Sequence, residues 1–135
     1  MNGRFQIAIH IMTLLSLSEG ECLSSDYIAG SININPVLVR KELSNLRQHG
    51  LVTSKEGNSG GYSIAKSAQL ISMADIYQTV KQNTLLGQAR NQPNPKCPVG
   101  KQINQHLNSL YTDVDTAVLH KLSQQTLADF NQQFH

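Results

Sequence analysis

The stretch Glu56-Gly57-Asn58-Ser59-Gly60-Gly61 does most to limit what this chain can fold into. It separates two short β-prone runs, residues 51–55 (Leu-Val-Thr-Ser-Lys) and 62–65 (Tyr-Ser-Ile-Ala), and predicts a hairpin with a glycine-rich tip. The surroundings read as helix. Phe5, Ile7, Ala8, Ile11, Met12, Leu14 and Leu15 recur at three- and four-residue spacing until Glu19-Gly20, the pattern of an amphipathic helix packed into a core. Ser24 or Ser25 can cap a short second helix carrying Tyr27, Ile28 and Ala29, which ends near residues 30–33. Asn35 followed by Pro36 opens a third, because the asparagine side chain accepts from a free backbone N–H and proline needs no donor in the first turn. Along this helix, which runs towards Gly50, Val39, Leu43 and Leu46 share an inward face. Val37, Arg40, Lys41, Ser44 and Gln48 point the other way.

After the hairpin, Ser72 and Asp75 stand at capping-box spacing and open a fourth helix with Met73, Ile76, Tyr77 and Val80 as core residues. Residues 82–97 are polar, contain Pro93 and Pro95, and read as a loop. Pro98 restarts the helix. Ile103, Leu107, Leu110, Val114 and Ala117 then follow at steps of four, three, four and three, a coiled-coil-like seam that needs a partner helix. The partner is a second copy or another part of the same chain. Ser123 is placed to cap a tail helix anchored by Leu127 and Phe130.

These elements predict a mainly α fold with a small β-hairpin: a winged helix-turn-helix over residues 1–81, a loop over 82–97, and a dimerisation helix with a tail helix over 98–135. The 135 residues suit one globular unit, and 39% hydrophobic content with 15% charged residues sets the chain apart from disordered proteins. No run approaches the about 20 apolar residues of a membrane span. The first residues lack the basic start and small-residue cleavage site of a signal peptide. Two cysteines, Cys22 and Cys97, are too few to staple a chain of this size and agree with a reducing, cytoplasmic setting.

In a winged helix-turn-helix the third helix enters the major groove and the wing follows the adjacent backbone or minor groove. The net charge of +2 is mild for such a protein, so local arrangement carries the argument. Arg40 and Lys41 can reach guanine or phosphate, Ser44 either kind of base edge, and Val37 a thymine methyl. Asn35 at the helix start and Lys55, Asn58, Ser59 and Gly60 on the wing complete the candidate DNA-binding set. The alternative for the third helix is an ordinary solvated polar face.

The run LRQHGLVTSKEGNSGGYSIAKSAQLISMADIYQTV also resembles the Rrf-type family of bacterial winged-helix transcription regulators, the relatives of IscR, NsrR and CymR, and within it a cluster-free, YwnA-like branch. Leu46, Arg47, Gly50, Leu51, Val52, Gly57, Gly60, Gly61, Tyr62, Ile71 and Ser72 occupy the places that carry the likeness. The resemblance extends over nearly the whole chain and implies a homodimer joined through the long C-terminal helix, reading double-stranded, palindromic operator DNA. Cluster-binding members carry three closely spaced cysteines before the dimerisation helix. Here Cys97 stands alone, so no iron–sulfur cluster and no other cofactor is expected. Where many relatives place an arginine in the wing this chain has Glu56, which repels phosphate and leaves Lys55 to compensate or the wing to contribute less.

Cys97 precedes Pro98 at the predicted start of the long helix, flanked by Lys96 and Lys101. The helix dipole and the ammonium groups both favour thiolate, so Cys97 is a candidate redox sensor, with Cys22 as a possible partner. The alternative is two incidental thiols. The histidines at 10, 49, 106, 120 and 135 form no cluster at metal-ligand spacing, and His10 reads as a packed, hydrogen-bonded side chain. No nucleophile elbow, phosphate loop or acid/base pair suggests an enzyme. Two other functions fit the pattern: a winged-helix module that binds protein, and a regulator that holds a small molecule between the winged domain and the long helix.

Overall fold

The computed structural model describes residues 3–18, 20–82, 85–87 and 91–134. Its elements run α1 (Arg4–Leu17), α2 (Ser25–Ile32), α3 (Pro36–Gln48), β1 (Val52–Lys55), β2 (Gly61–Ile64), a single 3₁₀ turn (Ala68–Leu70), α4 (Met73–Val80), α5 (Pro98–Ser123) and α6 (Leu127–Asn131). The mainly helical fold with one antiparallel hairpin is the predicted one. Glu19, parts of the loop at 83–84 and 88–90, and His135 lie outside the described residues.

Helix α1 differs from expectation in its surroundings. It has no broad polar face, because α2, α3, α4, β2 and α6 all pack against it. Ala8, Ile11, Met12 and Leu15 are fully buried, and even Thr13 is largely covered. Around this central rod gather Ile28 of α2, Val39, Leu43 and Leu46 of α3, Val52 of β1 and Ile76 of α4, all in one core. Leu127 of α6 joins the same core at 0% exposure, so the C-terminal turn closes the side of α1 that the winged elements leave open.

The caps follow local chemistry. Ser24 accepts from the Tyr27 N–H, and Asn35 Oδ1 accepts from the Val37 N–H at 2.9 Å with Pro36 behind it. Ser72 and Asp75 form the predicted reciprocal capping box. The tail helix is capped differently from the prediction. Ser123 is the last residue of α5, and Thr126 with Asp129 makes the capping box of α6. Two capping residues lay within reach, and the one whose third neighbour is acidic supplies a bond in each direction.

Candidate nucleic-acid interface

Helices α2 and α3 are joined by a tight turn in which Asn33 adopts a left-handed conformation (φ 65°) and donates its N–H to Ala29 O at 2.8 Å. Asparagine tolerates this region better than most residues. The turn sets α3 across α2 with Val39, Leu43 and Leu46 inward, as the apolar spacing predicts. Val37, Arg40, Lys41 and Gln48 are exposed and Ser44 is half-buried, so the candidate face of α3 is open to a groove.

Two polar groups hold the inward side of α3. Glu42 is buried and accepts from Arg4 Nε and Nη2 of α1, both at 2.9 Å, in a bidentate pair. Asn45 donates to Thr79 O at 2.8 Å and so ties α3 to α4. The hydrogen bond and charge of Glu42 raise the Arg4 pKa further above its already high ordinary value. Sequence reasoning missed this pair because Glu42 sits on the apolar stripe between Val39 and Leu43, and its partner is 38 residues away.

The wing pairs Val52 with Ile64 and Lys55 with Gly61. A third strand-like contact fastens it to the body: Leu23 N donates to Tyr62 O at 2.9 Å and Tyr62 N to Leu23 O at 2.8 Å. Gly61 is required by this contact and Gly60 by the turn of the hairpin itself. A Cβ on Gly60 would overlap the Lys55 carbonyl, and one on Gly61 (φ 143°) would come within 2.6 Å of Leu23 O. Arg47 at the end of α3 donates to Ser54 Oγ of β1 at 3.0 Å, linking helix and wing. Lys55, Asn58 and Ser59 are exposed and Gly60 half-buried, on the rim of an open cleft of about 670 Å³ between the wing and the start of α2. Tyr27 is 61% exposed and lines that cleft.

Two candidate contacts have local partners. The Asn35 side chain caps α3, and Arg40 Nη1 stands 3.9 Å from Asp26 of α2 in an exposed ion pair.

The cysteines occupy separate places. Cys22 is half-buried in the turn before α2, beside the wing cleft, and Cys97 is exposed at the N-cap of α5. Backbone N–H groups of Gly100 and, less, Val99 lower the Cys97 pKa, against a smaller opposing effect of burial. The sulfur makes no side-chain capping bond, so these amides act mainly through their field at the helix start. The amides at the helix start, rather than the neighbouring lysines, are the cause.

Helix α5 leaves much of its seam uncovered. Ile103, Leu107 and Val114 are half-buried, Ala117 is exposed and Leu110 is 53% exposed. His10 Nε2 lies 3.0 Å from Ser31 Oγ, as a packed histidine should. No described helix is long and apolar enough to cross a membrane.

Residues 1–133 match the Rrf2 family, described as an iron-dependent transcriptional regulator. Over 129 residues the chain is 38% identical to YwnA of Bacillus subtilis (strain 168), which carries the name of an HTH-type transcriptional regulator; the match covers 96% of this chain and 95% of that protein. It is also similar to a crystal structure titled as a DNA-binding protein, with a TM-score of 0.76, 36% identity, and coverage of 94% of this chain and 97% of the other. CymR, the global cysteine regulator of B. subtilis, shares the fold at a TM-score of 0.75 and 23% identity, over 100% of this chain and 98% of that one.

The iron in the family description finds no matching set of donors among the described residues. Among the described residues no three of His, Cys, Asp and Glu come together as a metal site, and Cys97 is a single exposed thiolate donor with Lys96 and Pro98 as its neighbours. Fe–S clusters are commonly held by four ligands, which this donor set does not supply. The winged helix-turn-helix, the glycine-fastened wing and the match over nearly the whole length agree: this chain is a DNA-binding transcriptional regulator and belongs to the Rrf2 family.

Proposed function

We propose that the protein is a cytoplasmic, homodimeric repressor that binds a palindromic operator and responds to thiol oxidation without an iron–sulfur cluster. Residues 1–81 read DNA and residues 98–135 hold the dimer together. The observation that carries this reading is α3, anchored from behind by Glu42 and Asn45 while Val37, Arg40, Lys41 and Ser44 face outward beside the wing. Lys55, Asn58, Ser59 and Gly60 place the wing on the neighbouring phosphates, and the N-terminus of α3 capped by Asn35 adds a favourable dipole. The uncovered seam of Ile103, Leu107, Leu110, Val114 and Ala117 supports pairing with a second copy, since a lone apolar stripe leaves too much surface wet. A twofold dimer then spans half-sites about 34 Å apart, or a multiple of that. Cys97, with its lowered pKa, is the redox-sensitive position, and Cys22 beside the wing is the second thiol.

Fluorescence anisotropy tests this with a duplex from the gene's own upstream region against a scrambled duplex, at two salt concentrations and before and after mild oxidation. Sedimentation velocity gives the oligomeric state. Preference for the upstream duplex with a steep salt slope is expected, and Arg40→Gln or Lys41→Gln each lowers that slope by about one. Release on oxidation that disappears in Cys97→Ser supports the switch. Equal affinity for the scrambled duplex refutes operator binding, and a monomer refutes the dimer.

A further inference from the structure

Helix α5 has 26 residues, and its one buried residue is a carboxylate, Asp115, 7% exposed. Asp115 Oδ1 accepts the backbone N–H of Leu85 at 2.8 Å, and Oδ2 lies 3.9 Å from Nζ of Lys81, the C-cap of α4. Tyr77 of α4 is buried close by, and its phenol pKa is raised first by burial and then by the Asp115 charge. Three segments therefore meet at one side chain: the end of α4, the connecting loop and the long helix. Burying a carboxylate is costly and an apolar residue would pack as well, so the arrangement favours direction over stability.

The rest of the attachment shows why direction matters. Beyond the end of α5, main-chain bonds hold the chain to the winged domain, Met73 N to Gln125 O at 2.9 Å and Leu127 N to Ile71 O at 2.7 Å. Helix α4 also packs along α5, and side-chain packing of this kind leaves the crossing angle free to shift by some degrees. Asp115 lies ten residues earlier, about 15 Å along the helix, and supplies a second, directional point of attachment. From residue 125 to the start of α5 is about 40 Å, so a swing of about 10° moves the far end by about 7 Å, or roughly two base-pair steps.

We propose that Asp115 is a positioning residue that fixes the angle at which α5 leaves the winged domain, and through it the separation of the two recognition helices in the dimer. This role rests on dimerisation through α5. It is tested in the full chain with Cys22→Ser, Cys97→Ser and a spin label at Gln48→Cys, by double electron–electron resonance between the two labels. The parent gives one narrow distance. Asp115→Leu widens the distribution at least about twofold, and the Leu85 amide exchanges about tenfold faster once its charged acceptor is gone. Asp115→Asn keeps the acceptor for Leu85 and loses the ion pair, so it and Lys81→Met widen the distance to a similar, smaller extent, and their combination adds nothing further. An unchanged width in Asp115→Leu with a freed Leu85 amide overturns the proposal. If that variant does not fold, unchanged widths in both Asp115→Asn and Lys81→Met overturn it. An absent distance in the parent refutes the dimer, whereas a parent distance that no variant alters refutes only the role of Asp115.

Discussion

Replacing Arg4 by methionine asks how much of the fold depends on one ion pair behind the recognition helix. Glu42 is 7% exposed at its side chain and Arg4 28%, so removing the guanidinium takes the main partner from a largely covered carboxylate. Among the described residues its other donor is Asn45 Nδ2, at a long 3.3 Å, and that amide already serves Thr79 O. Breaking a fully buried pair costs about 3–5 kcal/mol, and the partial exposure of Arg4 brings the expectation to about 2–3 kcal/mol. Glu42→Leu leaves the charge that lies nearer to water, and costs about 1–2 kcal/mol. The double variant Arg4→Met/Glu42→Leu removes both charges and lies within about 1 kcal/mol of the parent. Urea unfolding at one fixed protein concentration measures all three. A double variant as unstable as Arg4→Met refutes the reasoning, because another contact of the arginine, not a stranded carboxylate, would then explain the loss.

Gly61→Ala forces the wing away from Leu23; about 2–3 kcal/mol of local stability is lost, and amide exchange at Leu23 and Tyr62 accelerates before the rest of the domain responds. Unchanged protection there means that the glycine is not required by the close approach. Asp26→Asn frees Arg40 from an exposed partner: stability changes by less than about 0.5 kcal/mol, while affinity for the operator rises about two- to fivefold in anisotropy titrations. A fall in affinity would count against Arg40 in the groove. The lowered Cys97 pKa keeps thiolate present to lower pH than in an ordinary cysteine, so in a Cys22→Ser background iodoacetamide reacts with a rate that falls only as pH drops through this depressed value. Unfolding in urea moves the midpoint back up. Identical midpoints in the folded and unfolded chain would show that the helix start does not act on the sulfur.

Most of the architecture was legible because its determinants are local. Asn35-Pro36 and Ser72-Asp75 state their own helix starts, and the Gly-Gly pair of the wing announces a place where no side chain fits. The inward triad Val39, Leu43 and Leu46 was read from period alone. What escaped depends on distant parts of the chain. The Arg4–Glu42 pair and the Asp115 cluster join residues about thirty or more positions apart, and a charged residue among apolar ones does not name its partner. Helix α1 was read as two-faced because its periodicity could not show that α6 covers the side left by the winged elements.

The closure of the core by α6 also has a meaning in time. Synthesis proceeds from the amino end, and α1 through α4 emerge from the ribosome well before Leu127, whose backbone N–H bonds to Ile71 and whose side chain completes the packing around α1. Asn131 adds a 2.6 Å hydrogen bond to Ser16, across 115 residues of chain. A nascent winged domain is thus held short of its finished core for as long as it takes to make the helix that carries its seam. The recognition surface and the long helix mature together, which disfavours a half-built reader occupying DNA.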